Sequence, residues 1–178
     1  MDIFQYLEEM QEDIFSLQVS EIESKYYEIC SMLASSEDAE RIKSIHLDSY
    51  KKSMRISLKE ALEMAASEEA KAIYFEYDLD DEWDSHFYVC EDYFPLDEED
   101  DDWACEWTYD IEGPKSVELA GFYAENGFDT NEKAIGMTLY LIARTVCSFI
   151  NACSGLQSNI PICIGFHDQD PIIRTGRD

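Results

Sequence analysis

A chain of 178 residues that is 46% hydrophobic and 13% aromatic carries enough apolar material for one packed domain, which excludes a wholly disordered chain. Its 40 acidic and 13 basic side chains leave a net charge of −27. That charge disfavours direct contact with a nucleic-acid backbone or an anionic membrane and favours a partner with a basic surface.

Residues 1–70 read as helices. Ile3, Phe4, Tyr6, Leu7, Met10, Ile14, Phe15 and Leu17 recur at three-to-four spacing. Ser20 and Glu23 have capping-box spacing and predict a second helix through Leu33. Ser35 and Ser36 break it. A third helix is expected from about Glu37, carrying Ile42, Ile45 and Met54. Ser57 with Glu60 predicts a short fourth one through Leu58, Leu62 and Met64. No Pro or Gly precedes Pro95, which suits helices with short joints.

From Lys71 the period changes to two. Ile73, Phe75 and Tyr77 alternate with Tyr74, Glu76 and Asp78, which predicts a strand. A turn over 78–84 leads into a second strand over 85–92, with Phe87 and Val89. The acidic run 97–102 reads as a loop. A third strand is expected over 103–112, with Trp103, Cys105, Trp107, Tyr109 and Ile111 on one side and Ala104, Glu106, Thr108, Asp110 and Glu112 on the other. Gly113-Pro114 stops it. A helix over 116–126 ends at Gly127. Asp129 with Glu132 opens a long apolar helix to about Asn151, and 160–166 is a final strand. The order of elements is that of an α+β protein: one domain over 1–178, helical over 1–70, with a small mainly antiparallel sheet and helices over 71–178.

The 133–168 stretch also meets a membrane test, because Arg144 is its only charged residue between Lys133 and Asp168. Arg144 would fall near the middle of a spanning helix, so a buried core helix is expected, with Arg144 paired to a carboxylate from the sheet or snorkelling to the surface. No basic, apolar leader opens the chain. The six cysteines lack CxxC spacing and sit among apolar neighbours, as in Val89-Cys90 and Ile162-Cys163-Ile164. They read as reduced core thiols in a cytoplasmic protein.

Catalytic signals are sparse. Asp80-x-Glu82-x-Asp84-Ser85-x5-Glu91 approximates a calcium loop, but Glu82 stands at its third position, Ser85 replaces the turn glycine, and strands flank it. His167-Asp168-x-Asp170 reads as a polar turn after a strand. GxGxxG, Walker A, GxSxG and HExxH patterns do not occur. A non-enzymatic protein without cofactor or metal is therefore expected.

The strongest pattern is the mixing of acids and aromatics. Residues 72–114 hold 17 carboxylates, no Lys or Arg, and all three tryptophans, Trp83, Trp103 and Trp107. Acids without a local base repel one another unless a cation from elsewhere answers them. Asp80, Asp81, Glu82 and Asp84 with Asp97, Glu98, Glu99, Asp100, Asp101 and Asp102 are the candidate partner-binding carboxylates. Trp83 and Tyr93 are the candidate exposed anchors.

The small, very acidic α+β chain, its Tyr74-Phe75-Glu76-Tyr77-Asp78 and Asp81-Glu82-Trp83-Asp84 segments and its closing Ile164-Gly165-Phe166-His167-Asp168 turn resemble acidic immunity proteins of bacterial polymorphic and contact-dependent toxin systems. The resemblance is to the class, and it implies binding to one cognate toxin, such as a basic nuclease, and occlusion of its active site. A DNA mimic or acidic adaptor for a DNA-handling protein is the alternative, and a metal-binding protein or enzyme is the third reading.

Overall fold

Local side chains start most of the helices in the computed structural model, which describes residues 2–176. Asp2 caps α1 (Ile3–Ser16) in a reciprocal box with Gln5. α2 (Val19–Leu33) begins two residues before the expected box: the Glu21 carboxylate accepts the Gln18 N–H at 2.9 Å. Ser35 caps α3 (Ser36–Lys43) through the Asp38 N–H. The expected third helix does not continue to Met54. It stops at Lys43, and Met54 belongs to α4 (Asp48–Glu68). Ser57 is not a cap either. It lies inside α4, where its hydroxyl donates to the Glu112 carbonyl at 2.8 Å.

Alternation places β1 (Ala72–Tyr77) and β2 (Ser85–Cys90) as the sequence pattern predicts. The third expected strand is corrected. Asp102–Cys105 forms a 3-10 turn, and β3 covers only Trp107–Glu112. α5 (Val117–Asn126) is capped by Ser116, and α6 (Glu132–Cys153) by Asn131 rather than Asp129. β4 (Ile162–Phe166) and a two-residue β5 (Ile173–Arg174), which the sequence reading omitted, complete the sheet. The five strands run in the order β3-β2-β1-β4-β5; β1 and β4 are parallel and the other pairs antiparallel.

The main core lies between the sheet and the helices. Ile73, Phe75, Tyr77, Phe87, Val89, Ile164 and Phe166 point into it. The Phe75 and Phe149 rings stack with centroids 5.2 Å apart, joining β1 to α6. α6 also crosses α2 closely at Gly136, where an added Cβ would come within 2.8 Å of the Leu33 Cβ. This helix is long and apolar enough to cross a membrane, but 83% of its most apolar window is buried within the fold. Arg144 does not reach the sheet. Its guanidinium donates to the Ile42 and Lys43 carbonyls at the end of α3, and its Nε lies 3.5 Å from Glu23 on α2. A cation there answers the unpaired carbonyls and negative dipole end of a helix.

The opposite sheet face carries a smaller cluster of Ala72, Tyr74, Cys90 and Cys163 under Trp103, Ala104 and Ile172. Residues 91–106 cover part of this face. The remainder, toward β3, is left open.

Candidate functional site

The two acidic segments have different structures. In the 78–84 turn, Asp78 Oδ1 accepts the N–H groups of Asp80 and Asp81 at 2.8 and 3.2 Å. This frees the Asp80, Asp81 and Glu82 carboxylates for solvent, and all three residues are exposed. Asp84 is half-buried and pairs with Lys115 at 3.0 Å. Glu82 and Trp83 both have left-handed backbones, with φ of 54° and 56°, a costly conformation for residues with a Cβ.

That turn drives Trp83 inward, which corrects the expectation of an exposed anchor. Trp83 is fully buried. Its indole N–H donates to Thr145 Oγ1 at 3.0 Å, and its ring packs against Tyr77 and Tyr123 at 5.6 and 6.0 Å. The calcium-loop spacing also fails to converge. β2 separates Asp80 from Glu91, and six residues of strand span about 20 Å. Among the described residues no group of three or more His, Cys, Asp or Glu side chains is arranged to hold a metal ion.

The second segment is pinned from outside itself. Arg174, 2% exposed, donates to Asp101 Oδ1 at 2.7 Å and to the Ile172 and Phe94 carbonyls at 2.6 and 3.0 Å. Its guanidinium also lies over the Trp103 and Tyr93 rings, 5.3 and 5.7 Å from their centroids. Asp101 Oδ2 accepts the Ile172 N–H at 2.6 Å. Desolvation opposes the charge on Arg174, but the bonds and field of Asp101 outweigh it and hold the pKa above its ordinary value. Asp101 is therefore an internal counter-ion. Tyr93, the other expected anchor, is half-buried with its ring edge-on to Trp103 at 5.1 Å. Asp97, Glu98, Glu99, Asp100 and Asp102 remain exposed.

The exposed tryptophan is Trp107, expected on the same side as Tyr109 and Ile111 and found on the open face of the sheet with 44% of its surface accessible. A bulge between Val89 and Cys90 shifts the β2–β3 register, so Trp107 falls opposite Cys90 while Tyr109 and Ile111 stay on the helix side. An extra residue in one strand breaks the side-chain alternation at that point. Trp107 stacks on Tyr88 at 5.1 Å, and Tyr88 on His86 at 5.9 Å. The result is a flat aromatic row on the open face.

Carboxylates border this row. Asp110 Oδ1 lies 2.5 Å from His86 Nδ1, and Asp84 Oδ2 lies 3.9 Å from His86 Nε2. Glu76 meets His167 at 3.2 Å. Burial first, then the negative charges of Glu76, Asp110 and Asp84, push the Tyr88 phenol up to about 12. The row therefore lies in a negative field and offers an acceptor-rich rim around a stackable surface. Such a surface can take cations by charge and by contact with ring faces. The sequence reading missed Tyr88, His86 and Trp107 as site residues. The signal that could have found them is the alternation of His86, Tyr88 and Cys90 against buried Phe87 and Val89.

No family model matches this chain, and no significant match was found to curated proteins or solved structures.

Proposed function

We propose that this protein binds a basic protein domain and neutralises it, as an immunity protein does to its cognate toxin, and that it works in the cytoplasm without catalysis or cofactor. The observation that carries the reading is the open sheet face, where the Trp107–Tyr88–His86 row is bordered by Glu76, Asp84, Asp110 and Glu112. The exposed carboxylates of 80–82, 97–100 and 102 extend the negative field beyond it. The surface divides the work. Distributed charge steers the cationic partner, raising association rates by about 10- to 1000-fold, and the desolvated aromatic row holds it.

The test is kinetic binding to the product of the adjacent gene across a salt series, paired with protection of cells from that product. Replacing Asp97, Glu98, Glu99, Asp100 and Asp102 with Asn, Gln or Ser, while keeping Asp101 for Arg174, is expected to slow association and flatten its salt dependence. An unchanged association rate together with full protection would reduce the acidic run to a solubility feature.

A further inference from the structure

β3 is an edge strand, and its outer side is open except at the Glu112 carbonyl, where Ser57 of α4 donates. It ends the strand order, and residues 107–110 and 112 are exposed. The Gly113 N–H donates to the Ser85 carbonyl at 2.7 Å, in the same register that sets Phe87 opposite Ile111 and Val89 opposite Tyr109. Antiparallel pairs alternate between bonded and unbonded. Tyr109 and Ile111 therefore turn their backbone groups to β2, while Asp110 and Glu112 turn theirs outward. At that edge no strand among the described residues pairs with them, and the Glu112 carbonyl takes the Ser57 hydroxyl.

Natural edges are blunted by charge, and this one carries only negative charge. A second copy of the chain would bring its own Asp110 and Glu112 against these, within an assembly of two −27 molecules. A cationic strand meets the opposite situation. Residues opposite Asp110 and Glu112 would stand on the open face, beside both carboxylates and Trp107. Residues opposite Tyr109 and Ile111 would stand on the helix side, against the Tyr109 ring and the Ile111 branch, with the Glu68 carboxylate of α4 at the Tyr109 hydroxyl, 3.3 Å away. The edge thus specifies an alternating pattern, basic on one side and apolar on the other.

We propose that β3 receives an extended strand of the basic partner by strand addition, with Lys or Arg opposite Asp110 and Glu112 and apolar residues between them. Main-chain bonds supply the affinity in this mode and the alternate side chains supply the selectivity. The proposal rests on the acidic-surface reading and specifies how that surface is used.

The probe is an acetylated, amidated nonapeptide alternating Lys with Val, added to the isotope-labelled protein at low salt. Its control is the same peptide N-methylated at every Lys, which keeps the charge and removes the donors that would face β3. The Lys/Val peptide is expected to slow amide exchange at Asp110 and Glu112 by at least about ten-fold, and the control is not. Asp110→Pro, which deletes an outward N–H and leaves the β2 ladder intact, is expected to bind the peptide about five-fold more weakly than Asp110→Ala, the equivalent of one hydrogen bond. If both peptides bind alike and neither amide is protected, strand addition is wrong and the acidic-surface reading stands. If neither peptide binds, both are wrong.

Discussion

Trp83 and Trp107 divide structure and function between two residues of the same type. Trp83 fills the core and bonds Thr145, so Trp83→Ala should cost about 3–5 kcal/mol of stability, as burial-to-cavity changes of an aromatic do. Trp107 is exposed and stacks on Tyr88, so Trp107→Ala should leave the melting temperature within about 2 °C and speed dissociation of the basic partner by at least about ten-fold. Thermal melts and surface binding kinetics on the two variants check both outcomes. Equal effects on stability would remove the distinction. Composition marked all three tryptophans, but their separate roles depended on backbone details. The left-handed pair Glu82 and Trp83 turns one indole inward, and the bulge at Val89/Cys90 turns another outward.

At the scale of elements, the covering segment 91–106 depends on a residue about seventy positions away. Arg174 and Asp101 neutralise each other beneath Trp103 and Tyr93. Asp101→Asn removes the counter-ion and leaves a buried guanidinium, so it should cost about 3–5 kcal/mol. A paired Arg174→Met, Asp101→Leu variant should recover much of that loss, because an apolar pair needs no compensation. Hydrogen exchange should show 91–106 opening first in Asp101→Asn, ahead of β1 and β2. Protection of 91–106 equal to wild type would show that Trp103 packing alone holds the segment. Helices proved more legible than strands at this scale. Three-to-four spacing located α1, and capping-box and glycine signals located α2, α5 and α6, while the α3–α4 joint was misplaced because Ser57 resembles a cap and serves as a contact to β3.

Over the whole molecule, the excess of negative charge acts on stability and on binding with opposite salt dependence. Screening relieves repulsion inside the fold and weakens attraction to a distant cation. Raising sodium chloride from 0.02 to about 0.5 M should lift the melting temperature by about 2–4 °C while association with a basic partner slows. A melting temperature that falls with salt would mean that attractive pairs outweigh the repulsion. Two residues give pH dependences of opposite sign. The Ser35 hydroxyl, with Lys133 and Arg41, holds the Asp38 carboxyl below its usual range. A depressed carboxyl adds stability above its unfolded value, near 3.9, and loses it as pH falls through the folded value. Asp38→Asn should therefore destabilise at pH 7 and matter progressively less as pH falls through the folded value. The bond to Glu76 raises the His167 imidazole. A raised base adds stability below its unfolded value, near 6.5, and loses it as pH rises through the folded value. Because His167 is mostly exposed, His167→Gln should flatten the stability profile only slightly there.

By itself the sequence determined the α+β class, the order of the helices and of β1 to β4, the burial of the 132–153 helix and the concentration of 17 carboxylates in 72–114. Periodicity and charge are local properties, and each is visible in a short window. Only the tertiary structure decided which acids are spent internally and which aromatics face out. Asp101 is answered by Arg174, and Asp84 by Lys115, through chain separations that no window spans. The parallel pairing of β1 with β4 and the short β5 are likewise long-range, and that pairing brings Arg174 to the sheet face where the acidic segment lies. The side to which Trp107 belongs was set by one extra residue in β3, because a shift of one position moves a strand side chain to the opposite face.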